Sequence, residues 1–188
     1  MKTIVIFTEG FEEIEGLSIV DILRRADIPC QTIATKKGLI TGAHGVSIQP
    51  DGFIKDLDLD DIDVVILPGG SPGYLNLAED ENVLNIIRKM NEKGKIIAAI
   101  CASPFVLVKA GILKNRKATI YPGMEDEIIN AGGIVQDNVV VIDENIITSR
   151  GPATAIPFAL SLVEVLKDKR TRDEIAKKLL TDLVMKEH

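Results

Sequence analysis

The residue with the clearest chemical potential is Cys101, which lies between two contrasting segments. The apolar run Ile96 to Ile100 before it is typical of a buried strand, and a helix is predicted to begin after it at Ser103 or Pro104. Free backbone N–H groups and the helix dipole at such a position both favour the nucleophilic thiolate. The alternative is a small buried apolar residue, but the turn placement favours a functional cysteine. Cys30 has no such feature and is interpreted as structural.

Three carboxylates, Glu12, Glu13 and Glu15, stand at the start of the first predicted helix. Acidic residues in a first turn compensate the helix dipole, and this explains two of them. A third carboxyl close to Cys101 would act differently. If ionised, it would oppose thiolate formation, and if protonated, it could donate a hydrogen bond to the sulfur. Such a carboxyl would also be available for general acid–base catalysis.

The segment Leu67 to Gly73 is rich in glycine and follows a predicted strand. It lacks the Gly-Lys-Ser/Thr ending of a phosphate-binding loop and the spacing of a dinucleotide fingerprint. Gly69 and Gly70 would let backbone N–H groups approach a reacting atom, as in an oxyanion hole. The alternative is a tight turn that needs positive φ, and glycine identity alone leaves both interpretations open.

Alternating strands and helices must position these residues. Apolar, β-branched runs predict strands, and apolar residues three or four apart predict helices. The predicted strands are Thr3 to Phe7, Pro29 to Ala34, Val64 to Leu67, Ile96 to Ile100, Val139 to Ile142 and Ile146 to Thr148, with a hairpin between Leu39 and Pro50. The predicted helices are Glu12 to Arg25, a segment around Val83 to Met90 that stops at Gly94, Pro104 to Ala110, Gly123 to Ala131 and Pro152 to Leu166. A last helix is predicted to start at a capping box, Thr171 to Glu174, and to carry Ile175, Leu179 and Leu183 on one face.

This order predicts one doubly wound α/β domain over residues 1–188, with a mostly parallel sheet between helices. Ligands collect at the carboxyl ends of the strands in such a sheet. Four segments should therefore meet at one edge: Glu9 to Glu15, Pro68 to Gly73, Cys101 to Pro104, and Ser149 to Pro152, which includes Arg150.

Composition excludes several functions. The net charge of −6 argues against nucleic-acid or membrane-surface binding. No apolar run is long enough to span a bilayer and no signal peptide is recognised, so a cytoplasmic protein is expected. With only two cysteines and two histidines, His44 and His188, neither a metal site nor a cofactor is expected.

The segments FTEGFEEIEGLSIVDILRRA, DVVILPGG, GKIIAAICASP and ITSRGPATAIPFAL resemble the ThiJ/PfpI superfamily, specifically its DJ-1 branch, in the family's order. The resemblance implies a flavodoxin-like sandwich, a homodimer and a nucleophile-elbow cysteine at Cys101. It also implies that Glu15 is the acidic partner and that Gly69, Gly70 and Ala102 supply backbone donors for an oxyanion.

The sequence departs from the family pattern at several positions. Tyr121 stands where several members carry a histidine, and Ala102 stands where the protease-like relatives have one, which argues against peptidase activity. His44 replaces an expected basic residue in the hairpin, whereas Arg25 keeps its match on the dimer-facing helix. We expect these three positions, Arg25, His44 and Tyr121, together with Arg150, to contact the substrate or the second subunit.

Three functions compete. The leading hypothesis is a cofactor-free enzyme of the glyoxalase or deglycase type, in which Cys101 attacks a small dicarbonyl or glycated substrate and Glu15 moves the proton. The alternative is an oxidative-stress sensor or holdase chaperone in which Cys101 is oxidised to sulfinate. A purely structural protein ranks last, because nothing structural requires cysteine at that turn. Older naming also links the group to thiazole biosynthesis.

Overall fold

The computed structural model describes residues 1–185 and, up to residue 183, their side chains; His188 lies outside this range. The strands are β1 (Thr3–Phe7), β2 (Cys30–Ala34), β3 (Ile40–Thr41), β4 (Ser47–Ile48), β5 (Gly52–Phe53), β6 (Val64–Leu67), β7 (Ile96–Ile100), β8 (Lys117–Ala118), β9 (Ile134–Val135), β10 (Val140–Asp143) and β11 (Ile146–Ser149). The helices are α1 (Glu13–Arg25), α2 (Gly73–Glu79), α3 (Glu81–Glu92), α4 (Pro104–Ala110), α5 (Glu125–Asn130), α6 (Ala155–Leu166), α7 (Lys169–Lys178) and α8 (Thr181–Met185).

Seven strands form the central sheet in the order β10-β11-β7-β6-β1-β2-β5, and every pairing except β10 with β11 is parallel. The chain order reverses between β1 and β6, and this switch point is where a doubly wound sheet opens a crevice. The predicted flavodoxin-like α/β fold is confirmed. The segment Leu39 to Pro50 forms the predicted hairpin, β3 paired antiparallel with β4.

Helices cover both faces of the sheet because its strands are apolar on both sides. Val5 and Phe7 point into one core, which α1 and α6 close, and Ile4 and Ile6 point into the other, which α2, α3 and α4 close. The strands β1 and β6 are buried at every position, as continuous apolar runs predict. Each fully buried aliphatic or aromatic side chain contributes about 1.5–3 kcal/mol to this packing.

The predicted start of the last helix is wrong. Helix α7 begins at Lys169, because the Asp168 side chain accepts a hydrogen bond from the Thr171 N–H at 2.7 Å and caps the helix before the predicted capping box. The helix also stops earlier than expected, since Leu180 adopts φ +60° and separates α7 from α8. Ile175 is buried as predicted, whereas Leu183 is exposed.

Among the described residues, no helix combines the length and apolar character needed to cross a membrane.

Candidate active site

Cys101 occupies a sharp turn between β7 and α4, where its backbone takes φ +65°. A left-handed conformation is costly for a non-glycine residue and persists only where the surrounding structure enforces it. Here Cys101 N–H donates to the Ser149 carbonyl at 3.0 Å, and its own carbonyl accepts from the Tyr121 N–H at 2.8 Å. The Ser103 hydroxyl, which sequence reasoning missed, donates to the Pro68 carbonyl at 2.6 Å and ties the turn to the end of β6.

The backbone donors around the sulfur differ from the prediction at one position. The N–H groups of Gly70 and Ala102 are directed at the Cys101 thiol, as expected. Gly69, however, donates its N–H to Glu15 Oε2 at 2.7 Å, so it is not free to bind an oxyanion. A hydrogen bond from an N–H group to a buried carboxylate is strong. Two backbone N–H groups, those of Gly70 and Ala102, are therefore left to donate to an oxyanion, rather than the three that were expected.

Gly69 is the point at which thiol and carboxyl converge. A Cβ at this position would lie 2.6 Å from Cys101 Cβ, 2.7 Å from Glu15 Oε2 and 3.1 Å from Cys101 Sγ. The first two distances are shorter than any ordinary contact, so only glycine lets the cysteine and the glutamate approach each other. Gly70 has φ +101°, and a Cβ there would lie 2.3 Å from the Glu12 nitrogen. The positive-φ interpretation therefore holds for Gly70, and the oxyanion hole stays a prediction.

The three carboxylates at the start of α1 have three different environments. The Glu12 side chain caps the helix by accepting from the Glu15 N–H at 2.7 Å. Glu13 accepts hydrogen bonds from the hairpin, through His44 and Val46. Glu15 is fully buried beside Cys101, and its Oε1 has no hydrogen-bond partner among the described residues. The expectation that one of the three differs from the other two is consistent with this geometry.

The two reactive groups share a buried environment that disfavours charge. Burial raises the pKa of Glu15 to about 7, although hydrogen bonds from the Gly69 N–H and the Cys101 thiol oppose the change. Burial also raises the pKa of Cys101 to about 12, with a further increase from the adjacent Glu15 charge. Burial and the Glu15 charge thus oppose the thiolate that the strand-to-helix position favours, and the N–H groups of Ala102 and Gly70 offset them only in part.

Two of the four predicted contact residues lie close to the cysteine turn. Tyr121 contacts it through its backbone, and its ring, about half exposed, lies near the position that a Cβ on Gly151 would occupy. Arg150 follows β11, and its guanidinium lies 3.6 Å from the carboxylate of Glu125 and 3.4 Å from that of Asp137.

The other two predicted contact residues lie in the hairpin and on α1. His44, in the hairpin, has its Nδ1 3.0 Å from Glu13 Oε2. Arg25 is ten residues beyond Glu15 on α1, about 15 Å along the helix, so it cannot contact a substrate at Cys101 of the same chain. It pairs with Asp21 at 2.6 Å across one helical turn.

Cys30 lies at the start of β2, the edge of the sheet opposite to the one where β7 ends at Cys101. Burial raises its pKa to about 11, and its carbonyl accepts from Arg24 Nε at 3.1 Å. It has no carboxyl partner comparable to Glu15. The structural interpretation of Cys30 agrees with these surroundings.

A parallel α/β sandwich with a cysteine in a left-handed strand-to-helix turn, facing a buried glutamate, defines the class of nucleophile-elbow proteins. Within that class, residues 1–165 match the model of the DJ-1/PfpI family. The chain belongs to this family.

Over most of its length the chain is similar to proteins named DJ-1 and to proteins named deglycase. It is 40% identical to the protein dj-1beta of Drosophila melanogaster over 180 residues, which cover 95% of this chain and 96% of that one. It is 36% identical to the deglycase PfpI of Pyrococcus furiosus over 168 residues, covering 89% of this chain and all of the relative. The crystal structure of Drosophila DJ-1beta superposes with a TM-score of 0.91 at 39% identity, covering 96% of this chain and 98% of that one. An oxidized form of Toxoplasma gondii DJ-1 gives 0.90 at 34% identity, with 95% and 97% covered.

Proposed function

We propose that this protein is a cofactor-free cysteine enzyme that converts small reactive dicarbonyls, such as methylglyoxal, into hydroxy acids, or removes their early adducts from amines and thiols. The observation that carries the proposal is the convergence of the Cys101 sulfur and the Glu15 carboxyl on Gly69. A nucleophile and an acid–base group are thereby placed side by side at the carboxyl edge of the sheet. The deglycase names of several relatives agree with this reaction class.

The reaction begins with addition of sulfur to the aldehyde carbon. The ionised Glu15 carboxylate removes the thiol proton as the C–S bond forms, and the proton passes to the aldehyde oxygen to give a hemithioacetal. The N–H groups of Gly70 and Ala102 stabilise the negative charge that develops on that oxygen. The proton moves directly between adjacent groups. The reaction can therefore start from a Cys101 thiol and a Glu15 carboxylate, without a thiolate in the resting protein.

The second stage moves one hydrogen between adjacent carbons. Glu15 takes the proton from the former aldehyde carbon and returns it to the neighbouring carbonyl carbon, while the hydroxyl proton of the hemithioacetal passes to the neighbouring carbonyl oxygen, which leaves a thioester of the hydroxy acid on Cys101. Water then cleaves the thioester, releasing lactate and restoring the thiol, so methylglyoxal and one water give one lactic acid. Glu15 alone serves as acid and base here, since Tyr121 stands where a histidine was expected, and we predict modest turnover.

The test is lactate formation from methylglyoxal by the wild type, Cys101→Ala and Glu15→Gln, with Cys30→Ala as the matched control for a second buried cysteine. Turnover should fall at least about 100-fold in the first two variants, the usual range for losing a nucleophile or an acid–base group, and stay unchanged in Cys30→Ala. Thermal melts verify that each variant is folded. Wild-type protein without turnover, or Cys101→Ala with wild-type turnover, would overturn the proposal.

Oxidation of Cys101 to sulfinate is the second candidate function. Its support is the same thiol beside a carboxyl that, once protonated, can donate to an oxidised sulfur. The raised pKa of Cys101 weakens this candidate, because the thiolate is the form that peroxide attacks. Peroxide titration followed by intact mass separates the two functions: gain of two oxygen atoms at Cys101 without dicarbonyl turnover would favour sensing or a holdase role.

We also propose that the protein forms a homodimer through α1, as the family resemblance implies. Ile14 and Leu17 on this helix are exposed apolar residues at 57% and 38% of their full surface. Sedimentation equilibrium of the wild type and of Ile14→Glu tests the assembly, since a charge in an apolar interface should favour the monomer. The cytoplasmic location stays a prediction.

A further inference from the structure

The hairpin formed by β3 and β4 packs against the beginning of α1 through a cluster of three metal-ligating side chains, Glu12, Glu13 and His44. Glu13 Oε1 accepts from the His44 N–H at 2.7 Å and from the Val46 N–H at 3.3 Å, while its Oε2 lies 3.0 Å from His44 Nδ1. Gly42 makes this approach feasible, because a Cβ there would lie 2.4 Å from Glu13 Oε1. The linear sequence separates these residues by about thirty positions and gave no sign of the cluster.

The residues around Glu12 and Glu13 neutralise only part of the negative charge of these two carboxylates. Glu12 and Glu13 expose only 7% and 8% of their surface, and burying carboxylates is unfavourable unless they are paired. In residues 1–185, Glu13 has one ion-pair partner, His44, and Glu12 has none. One oxygen of Glu12 accepts from the Glu15 N–H, and the described residues provide no hydrogen bond for the other. The nine-tenths buried Glu12 carboxylate therefore has an oxygen within 4.8 Å of a donor atom of His44 and of Glu13.

The distances within the cluster match those between ligands of one ion. One donor atom from each of the three residues lies within 4.8 Å of the other two. Nitrogen and oxygen ligands lie about 2.0–2.2 Å from a tetrahedral zinc ion, so any two of them are about 3.3–3.6 Å apart. His44 Nδ1 and Glu13 Oε2 are 3.0 Å apart, which is close to this spacing, so an ion can replace the hydrogen they share. A third donor up to 4.8 Å from the other two needs to move by up to about 1.5 Å.

We propose that Glu12, Glu13 and His44 form a divalent metal site that fastens the hairpin to α1, separate from Cys101. Zn²⁺ binds both imidazole nitrogen and carboxylate oxygen, and the imidazole favours it over Mg²⁺ and Ca²⁺. The His44 side chain is 73% exposed, which gives the ion a path of entry and leaves room for water in the remaining coordination position. This site revises the expectation that the chain holds no metal.

Zn²⁺ titration by calorimetry tests the site, with the protein in the Cys101→Ser background so that the thiol cannot compete for the metal. We expect one Zn²⁺ per chain, and His44→Asn should weaken binding by at least about tenfold. His188→Asn removes the other histidine and is the matched control, which should bind as the parent does. Zn²⁺ should also raise the melting temperature of the parent but not that of His44→Asn, because an ion bound only by the folded state stabilises it.

His44 lies on the surface, so its substitution should leave the fold intact, and melts without metal verify this. Glu13→Gln keeps the size of the side chain and gives a second, independent loss of binding. Absence of saturable Zn²⁺ binding by the parent would overturn the proposal, and so would equal affinity in the parent and His44→Asn.

Discussion

The buried carboxyl of Glu15 predicts how folding stability depends on pH. Its pKa is about 7 in the folded protein and has its ordinary value of 4.5 in the unfolded chain. Between these values the folded state keeps a proton that the unfolded state has released, so the free energy of unfolding falls as pH rises. The contribution is fully present below about pH 4.5 and is lost through about pH 7. At about 1.4 kcal/mol per pH unit, the total is about 3 kcal/mol.

Glu15→Gln isolates this contribution. Glutamine has the same size and keeps an oxygen that can accept from the Gly69 N–H, but it does not titrate in this range. Urea unfolding of both proteins is followed between about pH 4.5 and about pH 8, with a reductant and with EDTA to keep the hairpin cluster free of metal. The stability of the wild type relative to the variant should decline by about 3 kcal/mol over this interval. Parallel pH profiles would refute the assignment of a raised pKa to Glu15.

Asp51→Asn supplies a control of opposite sign. The pKa of Asp51 is lowered, because hydrogen bonds from Thr32 and the charge of Arg24 together outweigh burial. A carboxyl with a lowered pKa stabilises the folded state at pH values above its unfolded pKa, and this stability is lost as pH falls. The wild type should therefore lose stability relative to Asp51→Asn toward acidic pH. If the stability of the wild type relative to Asp51→Asn instead fell with rising pH, as is expected relative to Glu15→Gln, the pH dependence of stability would not report on individual carboxyl groups.

Three further predictions concern the site and its surroundings. Gly69→Ala should abolish lactate formation and cost about 1–3 kcal/mol of stability in urea, because its Cβ would lie 2.6 Å from Cys101 Cβ; a fully active variant would contradict the convergence argument. Arg25→Ala should change stability by less than about 0.5 kcal/mol and leave each subunit's turnover intact, since its ion pair with Asp21 is exposed. Iodoacetamide followed by peptide mapping should label Cys101 before Cys30 at alkaline pH, because the ionised Glu15 adjoins the Cys101 thiol and can accept its proton. The Asp51 carboxylate near Cys30 already accepts hydrogen bonds from Thr32 and Arg24; equal labelling would count against Glu15 as the base.

Much of the architecture could be predicted because it depends on local patterns. The strands β1, β6 and β7 are continuous apolar runs, and α3 shows its buried stripe at Val83, Ile86, Ile87 and Met90. The α2 helix was missed because it is only seven residues long and begins at a glycine directly after Pro72. The break at Leu180 could not be foreseen, since leucine gives no signal for a left-handed conformation.

The site was predicted less completely than the fold, for a physical reason. Cys101 could be proposed from its position and Glu15 from the family resemblance, but the pKa values depend on how thoroughly each group is desolvated, which only tertiary packing determines. The assignment of the Gly69 N–H failed for the same reason. A glycine pair at a strand end indicates that another group can approach the backbone closely, but it does not indicate which of two acceptors each N–H group donates to.

The balance of charge at Cys101 and Glu15 bears on how the proposed enzyme would work without a cofactor. Burial makes two negative charges in this space very unfavourable, so above about pH 7 the pair still holds one proton between sulfur and carboxyl. Moving that proton from sulfur to Glu15 leaves the net charge unchanged, and the Gly70 and Ala102 N–H groups stabilise the sulfur that results. The nucleophile is then generated only when an electrophile is present to receive it. The Cys101 thiol should therefore react slowly with alkylating agents while Glu15 is protonated, and its reactivity should rise with pH as Glu15 ionises.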